Sequence, residues 1–199
     1  KGETTLEQRR RFAAKAFAVS SHYDSAIFNY FNRSENLPEF RQTFSNGKEL
    51  RYGENPHQQG IFFGDMDEMF EQLNGKEISY NNLVDIDAAC ELNAEFDEPT
   101  VCIIKHTNAC GVATGKDVRE AYVKALQADP VSAFGGILIT NRMIDLAAAE
   151  EINKLFFEIL IAPEYSADAL DLLKSKKNRI ILRQKEMLAA GKQFKSLLN

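Results

Sequence analysis

Val101-Cys-Ile-Ile-Lys-His-Thr-Asn-Ala-Cys-Gly111 is the stretch on which the fold turns. Its first four residues are apolar and largely β-branched, with turn formers beyond them, which reads as a short buried strand. The character changes abruptly at Lys105, His106, Thr107 and Asn108. In sheets built from strand-helix-strand units, ligands gather at the carboxyl ends of strands, where rigid backbone delivers side chains into a crevice. Lys105 and His106 are therefore either a reactive pair at such a crevice or a strand end that simply meets water.

Outward from this strand, apolar strands and helices alternate. Leu83 to Phe96 reads as a helix with Asp85 and Asp87 in its first turn, ending before Pro99. Asp117 is a good N-cap for a helix to about Ala128, with Val118, Ala121, Tyr122 and Leu126 on its apolar side. The strand Ile137 to Thr140, a helix over 145–155, the strand Glu158 to Ile161, a helix from Ser166 (as cap) to Lys174 and the strand Arg179 to Leu182 follow. The alternation predicts an α/β fold, a three-layer arrangement of a mainly parallel sheet with helices on both faces. Residues 184–199 carry little signal.

Upstream, Thr4 and Glu7 have capping-box spacing, and Leu6 to Phe31 is free of Gly and Pro, which predicts one long N-terminal helix. Phe12, Ala16, Val19, Tyr23, Ile27 and Tyr30 follow helical spacing, as a buried stripe would. A short strand is expected near Phe40 to Phe44 and a short helix over Asp67 to Leu73. The expected division is 1–47, helix and connection, and 48–199, the α/β domain.

Two more stretches carry chemistry-bearing residues. In Leu50-Arg-Tyr-Gly-Glu-Asn-Pro-His-Gln58, Gly53 and Asn55-Pro56 turn the chain between two strands and crowd Arg51, Tyr52, Glu54, Asn55 and His57 together. Arg offers a planar fork for phosphate or carboxylate and Tyr an aromatic face with a hydroxyl. The plainer alternative is a turn whose polar groups cap its own backbone. Ser132-Ala-Phe-Gly-Gly136 precedes a strand, and its glycines let backbone approach a ligand, or merely make a tight turn. No third glycine and no Gly-Lys-Ser follows, so neither a dinucleotide fingerprint nor a P-loop is supported.

The chain has 199 residues, 44% hydrophobic and 27% charged, which places it among ordinary globular proteins. A net charge of -5 argues against a broad nucleic-acid footprint but leaves room for one small anionic ligand. Cys90, Cys102 and Cys110 form no Cys-x-x-Cys, so no disulfide framework or zinc knuckle is suggested and a reducing, cytoplasmic setting is expected. No run of about 18 apolar residues and no export signal are visible, so no membrane partner is expected. The opening Lys1-Gly2, without an initiator methionine, suggests a piece of a longer protein.

Together, Leu50 to Gln58, Lys105-His-Thr-Asn-Ala-Cys-Gly111, Asp129-Pro-Val-Ser-Ala-Phe-Gly-Gly136 and Ile161-Ala-Pro163 strongly resemble the bifunctional purine-biosynthesis family that couples phosphoribosylaminoimidazolecarboxamide formyltransferase to inosine monophosphate (IMP) cyclohydrolase. The resemblance runs over essentially the whole chain. It implies that the cyclohydrolase domain and the later half of the formyltransferase domain are absent, and that the part present is a linker helix plus a cytidine-deaminase-like first subdomain. Zinc deaminases need a Glu two residues after their His or Cys and a Pro-Cys-x-x-Cys; both are missing, so zinc-dependent deamination is not supported and no metal is expected.

By the resemblance, the reaction moves a formyl group from the co-substrate 10-formyltetrahydrofolate to the 5-amino group of 5-aminoimidazole-4-carboxamide (AICAR) ribonucleotide. His106 would be the base and Lys105 the cationic stabiliser, while Arg51, Tyr52, Gly135 and Glu158 would bind the ribonucleotide. The residues flanking Glu158 depart from the family's pattern. The family acts as a homodimer with shared sites, which implies little or no transferase activity for this chain alone. The alternative is a nucleotide-binding or dimerisation module without catalysis of its own.

Overall fold

The computed structural model describes residues 2–185. It divides into two units, Lys1–Lys48 with Phe62–Gly64, and Glu49–Ile61 with Asp65–Asn199. Residues 186–199, including most of the low-signal stretch of the sequence, lie outside the described residues.

The first unit is built on α1 (Leu6–Glu35). Its capping box is one residue later than the spacing suggested: the Thr5 hydroxyl accepts from the Gln8 amide and the Gln8 side chain accepts from the Thr5 amide. Asn36, left-handed at φ 54, ends it. The predicted buried stripe is not buried, for no α1 residue is, and Phe12, Val19, Tyr23 and Tyr30 stand in the open. The expected strand near Phe40 to Phe44 does not form, and the segment is irregular. It is tied to α1 instead, by His22 Nδ1 to Thr43 Oγ1 at 2.7 Å, by Asn29 donating to the Arg41 carbonyl at 2.9 Å, and by the Arg41 guanidinium over the Phe28 ring at 4.9 Å.

Beyond α1 the chain forms a two-stranded sheet, β1 (Lys48–Leu50) and β2 (Gly60–Phe62), then α2 (Met66–Met69), β3 (Phe70–Asn74), α3 (Tyr80–Asn93), β4 (Thr100–Lys105), β5 (Asn108–Thr114), α4 (Val118–Ala128), β6 (Ile137–Thr140), α5 (Leu146–Ile152), β7 (Ile159–Ala162), α6 (Ala167–Lys174) and β8 (Ile180–Gln184). Six of these strands make one mixed sheet in the order β3-β8-β7-β6-β4-β5. The predicted α/β layering and long N-terminal helix are borne out. The strands β6, β7 and β8, joined through α5 and α6, are mutually parallel, whereas β3, β4 and β5 enter antiparallel.

Two apolar clusters cover the two faces of this sheet. On one, Ala121, Tyr122 and Ala125 of α4, Ala148 and Ile152 of α5 and Leu173 of α6 pack on Val101, Ile103, Leu138, Leu160 and Ile181. On the other, Ile86, Ala89 and Cys90 of α3 pack on Cys102, Ile104, Ile139, Ile161 and Leu182. Alternate residues of each strand thus point to opposite faces, both dry, and each fully buried Ile or Leu contributes roughly 1.5–3 kcal/mol. Two features eluded the sequence pattern. The expected helix over Asp67 to Leu73 is a single turn followed by β3, whose pairing with β8 overrides the local preference. Ser166 stands at the N-cap of α6 as expected, but the side-chain cap bond is not made, since its hydroxyl donates to Asp168 Oδ1 at 2.5 Å.

Gly111 fixes how α4 lies on β5. A Cβ there would stand 2.0 Å from the Ala125 carbonyl oxygen, so only glycine lets helix and strand approach this closely. Buried Asn141 anchors the entry to β4, accepting from the Thr100 amide at 3.0 Å and donating to the Phe96 and Glu98 carbonyls at 2.8 Å each.

Tyr122 is 1% exposed and its hydroxyl has no hydrogen-bond partner among the described residues. Burial pushes its phenol up to about 12, with the Glu151 charge acting the same way and Arg179 opposing it. Tyr122→Phe removes an unsatisfied polar atom without changing shape, so it is expected to leave stability unchanged or raise it by about 1 kcal/mol in urea denaturation. The sign with pH follows from the raised folded value: the neutral phenol's contribution is complete below about pH 10 and is lost as pH rises toward 12. The variant's alkaline loss of stability is expected to be smaller than the wild type's.

Candidate active site

The hairpin β4–β5 delivers the first two of the six predicted site residues. Lys105 closes β4 opposite Asn108, which opens β5, leaving His106 and Thr107 as a two-residue loop. Both are left-handed, at φ 52 and φ 60. Positive φ at both central residues marks the type I′ turn, whose twist matches a hairpin and which ordinarily takes Asn-Gly or Asp-Gly. A β-branched threonine there is strained by roughly 1–3 kcal/mol. Side chains hold the loop in place. Asp85 Oδ1 accepts from the Thr107 amide at 2.8 Å, and the Thr107 hydroxyl and Asn108 Nδ2 each donate to the His106 carbonyl at 2.7 Å. The His106 side chain itself is exposed, with no hydrogen-bond partner among the described residues.

Lys105 is half-buried, and its ammonium donates to the Phe134 carbonyl at 2.8 Å. That carbonyl belongs to the glycine turn before β6. Gly135 is left-handed at φ 76 and its amide donates to the Phe156 carbonyl at 2.8 Å, while the Gly136 carbonyl accepts from the Glu158 amide at 3.0 Å. The Phe134 and Phe156 rings, both exposed, lie 5.1 Å apart and form an apolar wall beside the turn. Lys105, Gly135 and Glu158 are thus linked through three successive segments.

The site does not sit at the carboxyl end of the parallel strands. β4 runs antiparallel to β6, so its carboxyl end, with Lys105, meets the amino ends of β6 and β7. The expected carboxyl-end crevice holds for β4 alone.

Glu158, half-buried just before β7, accepts from Asn82 Nδ2 at 3.1 Å and stands 3.9 Å from the Lys76 ammonium. Beside it opens a groove of about 740 Å³ that carries Lys76, Lys154, Lys176, Lys177 and Arg179 against the one carboxylate. Such a lining favours anionic groups. Arg179 is buried, donates to Asn153 Oδ1 at 2.7 Å and lies 4.1 Å over the Phe157 ring; burial pulls its guanidinium below the usual range.

The helix expected over Leu83 to Phe96 is α3, and its bracing of the candidate site is what the sequence did not show. Ser79 caps it in a capping box with Asn82. Buried Asn82 then reaches Glu158, and Asp85, three residues on and so on the same helix face, reaches the Thr107 amide. Asn81 donates to the Glu54 carbonyl at 3.2 Å, tying in the 52–59 turn. The signal in the sequence is the run Asn81, Asn82 and Asp85 at the head of the helix, of which the first-turn reading covers only Asp85.

Arg51 and Tyr52 are not joined to the rest. Among the described residues neither hydrogen-bonds to Lys105, His106, Gly135 or Glu158, and the Arg51 guanidinium lies 5.7 Å from the Tyr52 ring. In the following turn the plainer reading holds: Gly53 donates to the Gln58 carbonyl at 2.8 Å, and Gln58 Oε1 accepts from the Asn55 amide at 2.8 Å. Among the described residues no cluster of His, Cys, Asp and Glu suits a metal ion, and no helix is long and apolar enough to cross a membrane.

An exposed imidazole on a braced turn, with an ammonium one residue before it, is chemically able to take a proton and to steady a negative charge. The family follows from the sequence as a whole. The chain belongs to the AICARFT/IMPCHase bienzyme family, whose match spans residues 1–199. It is 61% identical over 196 residues to the bifunctional purine biosynthesis protein PurH of Bacteroides thetaiotaomicron, covering 98% of this chain and 38% of that protein. The PurH proteins of Bacillus cytotoxicus, over 191 residues, and Bacillus mycoides, over 190, are each 48% identical and covered to 37%. The chain therefore spans less than two fifths of the length of these relatives.

Proposed function

We propose that this chain carries the Lys-His edge of a formyl-transfer site in purine biosynthesis, acting on AICAR ribonucleotide with 10-formyltetrahydrofolate as donor. The observation that carries the reading is the placement of Lys105 and His106: the ammonium is fixed on the Phe134 carbonyl, and the adjacent imidazole stands free at the turn. Family membership and the cationic groove beside Glu158 support an anionic nucleotide as the substrate.

The chemistry follows from the acceptor. Its amine lone pair is delocalised into the imidazole ring and carboxamide, so it attacks a carbonyl poorly unless its proton is removed. The amine nitrogen bonds to the formyl carbon, His106 takes the amine proton, and the carbonyl oxygen becomes an oxyanion. Lys105 faces that charge. Collapse breaks the bond to the folate nitrogen, which leaves with a proton. Base catalysis of this kind contributes about 10²–10⁴-fold, and charge stabilisation is often the larger part. Gly135 lends backbone beside the base, Glu158 contacts the nucleotide, and Arg51, as a phosphate or carboxamide clamp, binds the ribonucleotide with Tyr52. The full reaction requires groups from outside this chain, supplied in a homodimer with shared sites.

Titration calorimetry with AICAR ribonucleotide, paired with a formyl-transfer assay, tests this reading. The chain alone is expected to bind the ribonucleotide weakly and to turn over little or not at all. Extended to the full length of its relatives, it is expected to transfer the formyl group. Absence of transfer at that length overturns the catalytic reading and leaves a binding or dimerisation module.

A further inference from the structure

We propose that Asp85 is a positioning residue for His106, a role that rests on the formyl-transfer reading above. In a two-residue hairpin loop the amide of the second loop residue faces no partner on the opposite strand, since only the flanking residues pair. Here that amide is Thr107's, and Asp85 Oδ1 accepts from it at 2.8 Å. Asp85 stands half-buried on α3, outside the hairpin it grips.

The bond matters because the loop sits in a conformation its own sequence disfavours. Neither His106 nor Thr107 is glycine, both have positive φ, and Thr107 is β-branched. The other two bonds of the turn, from the Thr107 hydroxyl and Asn108 Nδ2, both end on the His106 carbonyl. They are local to the loop and move with it. Among the described residues Asp85 is the side chain outside the hairpin that hydrogen-bonds to the loop, so it helps set where the His106 side chain is aimed.

The same helix face holds Glu158 through Asn82. With Asn82 and Asp85 one turn apart, α3 fixes the spacing between the carboxylate and the imidazole, much as one rigid element bearing two supports. Among the described residues the His106 side chain makes no hydrogen bond or ion pair that would orient it otherwise. Positioning through the backbone is the route the structure offers.

The test is made at the length that shows transfer. Asp85→Ala is expected to lower kcat about 10- to 100-fold with KM for either substrate changed less than about 3-fold. Asp85→Asn keeps an acceptor oxygen and is expected to retain most of the rate, which separates the hydrogen bond from the charge. In the double variant with His106→Ala, the Asp85→Ala loss is expected to vanish, because a residue that acts by aiming the imidazole has no effect once the imidazole is gone. In wild type the Thr107 amide is expected to exchange slowly with deuterium, and in Asp85→Ala at least about tenfold faster.

Unchanged kcat in Asp85→Ala overturns the proposal, as does a loss that adds in full to that of His106→Ala, or an Asp85→Asn variant as slow as Asp85→Ala. These outcomes differ from failure of the functional reading, which appears as His106→Ala retaining normal turnover.

Discussion

Replacing His106 by alanine is expected to lower kcat for formyl transfer by about 10²–10⁴-fold while leaving stability within about 0.5 kcal/mol. The imidazole is exposed and makes no side-chain hydrogen bond among the described residues, so its removal opens no cavity and orphans no buried group. Alanine also keeps the turn's bracing, since all three bonds that hold the loop use main-chain atoms of His106 or Thr107. What disappears is the proton acceptor beside the Lys105 ammonium. If the ribonucleotide is held mainly by other groups, KM changes little and the loss falls on kcat. Steady-state kinetics with thermal denaturation of the same preparation checks both halves. Normal turnover removes His106 as the base, whereas lost turnover accompanied by lost fold assigns it a structural part.

The second large effect is structural. Gly111→Val is expected to destabilise the protein by about 3 kcal/mol or more, a substantial share of the roughly 5–15 kcal/mol that holds a domain together. The obstacle is backbone: the new Cβ would meet the Ala125 carbonyl oxygen at 2.0 Å, and no side-chain rotation relieves that contact. α4 would have to lift from β5, disturbing Ala121, Tyr122 and Ala125 in the core. Gly135→Ala serves as the contrast. There the Cβ meets only the Phe156 ring at 3.7 Å, and the penalty, about 1–2 kcal/mol, comes from a φ of 76 that alanine dislikes. Urea midpoints for the two variants are expected to separate clearly, with Gly111→Val the lower. Equal midpoints would mean that α4 yields easily.

Particular residues account for what could be read in advance. β4, β6, β7 and β8 announce themselves as runs of Ile, Leu and Val because both of their faces are covered. β5 was hidden. Its Asn-Ala-Cys-Gly-Val-Ala-Thr is small and mixed and reads as turn formers beyond β4, whereas Gly111 sits inside the strand to admit α4. β3 was hidden because Phe70 to Asn74 owes its conformation to β8. Lys105, His106, Gly135 and Glu158 were legible as polar or glycine residues at the borders of apolar strands. The direction of β4 relative to β6 was not, since a strand's own sequence says little about the sense in which it pairs, and this decides which edge bears the site. Asp85 escaped because its partner is a backbone amide whose availability depends on the turn that only the folded hairpin creates.

The register of β4 and β5 slips between Ile103 and Ile104, because Cys110 is an extra residue on the β5 side. β5 is also an outermost strand of the six-stranded sheet. An open strand presents amides and carbonyls that invite another chain to add on, and proteins blunt such borders by interrupting their regular spacing. With its hydrogen-bonding row broken at Cys110, β5 is a poor template for a straight incoming strand. A bulge of this kind also sharpens the local twist of the hairpin, and the hairpin's far end carries the His106 loop.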